Sequence, residues 1–100
     1  PDEPAGHYQL GRLLLARSEI EPGLASLHQA QRLEPARARA YIAEAQWLAS
    51  HGKTVEAIAK AREGTYAEPS SAAARTLLDG LTTAKPGAGS GSGLIERDDP

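Results

Sequence analysis

Three histidines, His7, His28 and His51, carry the only imidazoles in the sequence. Two metal ligands on one helix face need the i,i+4 spacing that brings their side chains together. These three fall instead on different helical patterns or on a turn, where histidines serve as surface or packing residues. Cysteine is absent, so thiolate metal sites and disulfides are excluded. Serine is plentiful, but no G-x-S-x-G elbow presents one as a nucleophile. The Gly87–Gly93 run has the glycines of a phosphate loop without its Lys-Ser/Thr pair, a preceding strand or a following helix. No catalytic, metal or cofactor constellation is present, so a non-catalytic role is expected.

Composition says what kind of scaffold holds these residues. The chain has 100 residues, enough for one small domain, and its apolar content is mostly Ala and Leu, with no Phe or Met. Ala, Leu, Arg and Glu lose little side-chain freedom in a helix, so an all-α fold is expected. Net charge is −2, from 11 basic and 13 acidic residues. Arg97 against Glu96, Asp98 and Asp99 accounts for that excess, which leaves 10 residues of each sign in Pro1–Pro86. No basic surplus points to nucleic acid or an anionic membrane. No apolar run is long enough to span a bilayer, and no signal peptide is evident. The sequence begins without Met, as an excised or processed segment would. Its Ala/Arg-rich usage resembles that of high-GC bacteria, and a cytoplasmic and a periplasmic setting are both open.

The organising stretch is Pro35–Pro69, two helical patterns joined at Ser50-His51-Gly52-Lys53. Pro1, Pro35 and Pro69 lie 34 residues apart. Upstream, Pro4 suits a first helical turn, and Tyr8, Leu10, Leu13, Leu14 and Arg17 follow at helical spacing, with burial expected on more than one face. Pro22 is expected to open the next helix, with Leu24, Leu27, Ala30 and Leu33 as its stripe and Pro35 as its end. In the second unit, Tyr41, Ile42, Ala45 and Leu48 are expected to face inward, with Trp47 on the flank. Gly52 supplies a positive-φ turn, and Thr54 is the expected N-cap of a helix with the stripe Val55, Ile58 and Ala61. Gly64-Thr65 is expected to stop it. A fifth helix, from about Pro69-Ser70 to Ala84, buries Leu77, Leu78 and Leu81 and pairs Arg75 with Asp79.

A 34-residue period with two helices per unit resembles the tetratricopeptide repeat. In the first unit, Leu10-Gly11, Leu14, Leu27, Ala30 and Pro35 fall at that family's packing and closing positions. Tyr41, Ala45, Leu48, Gly52, Ala57 and Pro69 do so in the second, and His51–Ile58 (HGKTVEAI) looks very like the family's turn into its second helix. The likeness covers about Pro4 to Pro69. It implies a superhelical array of antiparallel helix hairpins, two repeats plus a C-terminal capping helix, over residues 1–86. Three positions depart from the pattern: Glu44 replaces a large aliphatic residue, Gly23 an Ala, and Ala61 an aromatic or Leu. A loosely packed second hairpin is therefore expected, with Glu44 partly exposed or facing a neighbour outside the chain.

The resemblance also implies a function: a concave groove, lined by the first helix of each repeat, that binds a protein partner's peptide. The family's groove-facing positions fall on Tyr8, Arg12 and Leu15, then on Arg39, Ile42, Gln46 and Ala49, and on Thr76 and Thr83 of the fifth helix. Two guanidinium groups beside aliphatic patches suit a peptide with a carboxylate and an apolar anchor. The alternative is that Arg12 and Arg39 are solvated faces of Ala-rich helices. Tyr8 and Arg12 stand where the family's carboxylate clamp has its first Lys and Asn, so that subclass is not implied.

Residues 87–93 read as a flexible Gly/Ser linker, engineered or native, with an r.m.s. span of roughly 15 Å. The seven residues beyond it are too short to fold alone. One reading makes them a partner-derived peptide fused to its own receptor, with Leu94 and Ile95 as apolar anchors and Glu96, Asp98 or Asp99 near Arg12 or Arg39; the other makes them an incidental tail or cloning remnant. Two further roles are open from sequence: a homo-oligomeric scaffold segment, or the regulatory arm of a larger protein.

Overall fold

In a computed structural model of the chain, residues 3–83 are described, and all their regular structure is helical. The helices are α1 (Pro4–Ala16), α2 (Ile20–Leu33), α3 (Arg39–Ser50), α4 (Thr54–Ala67) and α5 (Ala72–Thr83). α1 packs on α2 and α3 on α4 as helix hairpins; α2 meets α3 between them, and α5 covers α4. The architecture is the all-α array of hairpins expected from the period. Among the described residues, no helix is long and apolar enough to cross a membrane. The candidate tail, residues 94–100, lies outside the described residues.

The period is written into the backbone hydrogen bonds. Glu19 N–H donates to the Leu14 carbonyl at 2.8 Å, and 34 positions on, Lys53 N–H donates to that of Leu48 at 2.9 Å. Ser18 to Leu15 and Gly52 to Ala49 complete the pair, at 3.0 and 3.2 Å. Each set is a Schellman motif, in which a left-handed residue lets the chain turn back and satisfies the last carbonyls of the helix. The left-handed residues are Ser18 (φ 65°) and Gly52 (φ 77°). Gly52 is the expected positive-φ turn; the first hairpin makes the same turn with a serine.

Packing is equally periodic but differs in side-chain size. A Cβ placed on Gly11 would lie 2.8 Å from Leu27 Cγ and 2.9 Å from the Gly23 carbonyl oxygen. One on Gly23 would lie 2.8 Å from Leu15 Cγ. The positions equivalent to Gly11 and Leu27 are Ala45 and Ala61, and those equivalent to Gly23 and Leu15 are Ala57 and Ala49. Large-with-none in the first hairpin becomes small-with-small in the second. Ala45, Ala57 and Ala61 are fully buried, so the second hairpin is closed rather than loose.

Several boundaries differ from expectation. α2 begins at Ile20, ahead of Pro22, which sits in its first turns. α4 runs through Gly64 to Ala67; Gly64 is not a stop but a contact, where a Cβ would come within 3.3 Å of Tyr41 Cβ. Pro69 ends that helix, as Pro35 ends α2. Lys53 takes the N-cap position, so Thr54 is already helical and no side chain caps α4. Val55 is 82% exposed, and the buried face of α4 is Ala57, Ala61 and Gly64. Leu10 and Leu13 are 45% and 54% exposed, because no element of the described chain covers that side of α1. α5 starts at Ala72, with the Ser71 hydroxyl accepting from Ala74 N–H at 3.1 Å. Arg75 donates to the Pro69 carbonyl rather than pairing with Asp79.

Candidate functional site

The face shared by α1 and α3 gathers most of the residues singled out from sequence. Tyr8, one turn before Arg12 on α1, holds its ring under two guanidinium groups. Arg12 lies 5.4 Å from the ring centroid and Arg39, from the first turn of α3, lies 5.0 Å from it. Such contacts are worth about 0.5–1 kcal/mol at exposed sites and fix where the charges stand. Arg39 is also neutralised, with Nη2 and Nε donating to Glu34 Oε1 at 2.9 and 3.1 Å. Arg12 is exposed and has no carboxylate partner among the described residues. Of the two cations expected to bind a ligand, one is therefore already paired.

Beside Arg12 the two helices leave a depression of about 220 Å³, lined by Arg12, Leu15, Ala16, Ala43, Gln46 and Trp47. Three of these, Arg12, Leu15 and Gln46, were expected from sequence. Trp47 was placed on the flank and was missed. Its ring stacks on His51 at a centroid distance of 4.2 Å, and His51 Nδ1 bonds the Trp47 carbonyl at 2.9 Å, which requires that nitrogen to carry the proton. Ile42 and Ala49 are half-buried on α3 outside the depression's lining. Thr76 and Thr83 are exposed on α5 and do not line it either; the Thr83 hydroxyl donates to the Asp79 carbonyl at 2.7 Å.

A second polar centre lies between the hairpins. Glu44 is only 6% exposed and its partners belong to this chain, which corrects the expectation that it would be partly exposed or face a neighbour outside the chain. Gln31 Nε2 donates to its Oε1 at 2.9 Å, His28 Nε2 meets its Oε2 at 3.1 Å, and Lys60 Nζ lies 3.7 Å from Oε1. Residues of α2 and α4 thus converge on one carboxylate of α3, beneath a cleft of about 460 Å³ lined by His28, Gln31, Arg32, Pro35, Tyr41 and Lys60. The trace of this cluster in sequence was a charged residue at an apolar stripe position; its partners were invisible because they come from other helices. Glu68, at the C-terminal end of α4, makes a similar long-range tie, accepting from Ala38 N–H at 2.8 Å at the start of α3. No group of three or more metal-ligating side chains occurs among the described residues. In comparison with known proteins, the chain matches no family model, no curated protein and no solved structure.

Proposed function

We propose that this chain is a non-catalytic protein-interaction module of the tetratricopeptide type, which holds a short segment of a partner protein on the face shared by α1 and α3. One observation carries the reading: an exposed, acid-free guanidinium, Arg12, stands beside an apolar-walled depression between the first helices of two stacked hairpins. Such a site takes a peptide with a carboxylate for Arg12 and an apolar side chain for Leu15, Ala16 and Ala43. Arg39 acts indirectly, holding the Tyr8 ring that in turn positions Arg12.

The peptide Leu94–Pro100 has both features and is the first probe. Calorimetric titration of the chain ending at Pro86 with that synthetic peptide should saturate. Arg12→Ala should weaken it by about tenfold, since a charge-assisted bond contributes about 1.5–3 kcal/mol. A flat titration with the helical fold intact would remove the tail as ligand and leave this face without a demonstrated occupant.

A further inference from the structure

We infer that Glu34 is the specificity-determining residue of the α1 and α3 face: its carboxylate occupies Arg39 in place of a ligand's, so the face recognises one carboxylate of the partner, at Arg12, and gains nothing from a second. The inference rests on the reading of that face as a peptide site and says how many acidic groups it selects.

Two cations converge there. The guanidinium carbons of Arg12 and Arg39 lie 5.4 and 5.0 Å from the centroid of one ring, Tyr8, so the charges are no further apart than the sum of those distances. Carboxylates on alternate residues of an extended segment stand about 7 Å apart, within that limit. With both cations free, the face would suit a pair of acids. Glu34 prevents this. Its Oε1 accepts from Arg39 Nη2 and Nε at 2.9 and 3.1 Å, and the two side chains are only 21% and 29% exposed. A partner's carboxylate gains little by displacing an equivalent one already in place, since it must also be brought from solution.

The repeat explains why Glu34 is available for this. Its equivalent 34 positions on is Glu68, whose Oε1 accepts from Ala38 N–H at 2.8 Å and so caps the start of α3. The residue 34 positions before Ala38 is Pro4, which has no N–H to offer Glu34. One glutamate caps a helix; the other neutralises Arg39. Arg39 itself has no counterpart in the other units, where Ala5 and Ala73 stand in register with it.

All five helices end before residue 84, so the chain ending at Pro86 keeps them and no longer carries its own candidate ligand. Its 10 basic and 10 acidic residues balance, so net charge alone does not draw an anionic peptide to it. Calorimetry compares the acetylated, amidated Leu94–Pro100 peptide, whose acids are Glu96, Asp98 and Asp99, with three versions that keep one acid each and carry amides at the others. The parent chain should bind the three-acid peptide within about threefold of the best one-acid version. Glu34→Gln should tighten the three-acid peptide by about tenfold and the one-acid peptides by no more than about threefold. Adding Arg39→Gln should return the ratio to that of the parent. The backbone of Glu34 bonds to Ala30 and Arg37 whichever side chain it carries, and circular dichroism checks that each variant keeps its helices. A parent chain that already prefers the three-acid peptide tenfold, or a Glu34→Gln gain that is equal for all four peptides or survives Arg39→Gln, would overturn the inference and leave the peptide reading standing. No saturable heat from the parent chain with any of the four peptides would overturn both.

Discussion

Glu44 is where a single residue says most about this molecule. Its equivalent 34 positions earlier is Leu10, so a carboxylate occupies what the other hairpin treats as an apolar position. Burying it is tolerable because Gln31, His28 and Lys60 all reach it. Removing one member of such a buried set strands the others, whereas replacing donor and acceptor together is close to neutral. Glu44→Leu should therefore lower stability by about 1–3 kcal/mol, chiefly through the abandoned amide of Gln31, which is only 9% exposed. Gln31→Leu with Glu44→Leu should recover most of that loss. Urea unfolding of the two single variants and the double variant gives the coupling directly. Additive losses would mean that the pair does not act as a unit.

Helix termini and helix crossings obey the same 34-residue rule with different residues. Ser18 adopts the left-handed conformation that Gly52 adopts in the second hairpin, and an L side chain there costs about 1–2 kcal/mol. Ser18→Gly should stabilise the chain by about 0.5–1 kcal/mol after the added freedom of the unfolded chain is subtracted, read as a higher urea midpoint. An unchanged midpoint would mean that the Ser18 turn carries no strain. At the crossing of α1 and α2, Gly11→Ala drives a methyl against Leu27 and the Gly23 carbonyl. Overpacking costs about 1–3 kcal/mol and the better helix former returns up to about 1, so a net loss is expected. Adding Leu27→Ala recreates the Ala45 and Ala61 arrangement and should make the Gly11→Ala change less costly than it is in the parent. Thermal unfolding of the four chains tests this.

For the whole molecule, the hairpins are held to each other by the Glu44 cluster, by the Arg39 stack on Tyr8 and by the packing of α2 on α3. The side of α1 that carries Leu10 and Leu13 has no such cover in the described chain. Two half-exposed leucines three residues apart form an apolar strip on the same side of one helix. If a second copy uses that strip, light scattering should show a dimer whose population falls in Leu10→Glu/Leu13→Glu. A monomer at every concentration would exclude the scaffold role for this face. The proposed peptide site on the α1 and α3 face is separate from that outcome, since Arg12 and Trp47 line a depression within one copy.

Sequence by itself determined the helices, their number, the 34-residue period and the positive-φ turn at Gly52, because propensity, proline and glycine act within a few residues along the chain. The resemblance to the repeat family also implied that Arg12, Leu15 and Gln46 share one face, and all three line the depression between α1 and α3. Tertiary structure alone decided that α4 passes through Gly64, that Val55 faces solvent, and that Arg39 is spent on Glu34. It alone brought His28, Gln31 and Lys60 to Glu44 and left the Trp47 indole without an acceptor among the described residues. The Glu44 cluster depends on atoms that only the packing of three helices brings within 4 Å, and the sequence carries no local signal of that distance.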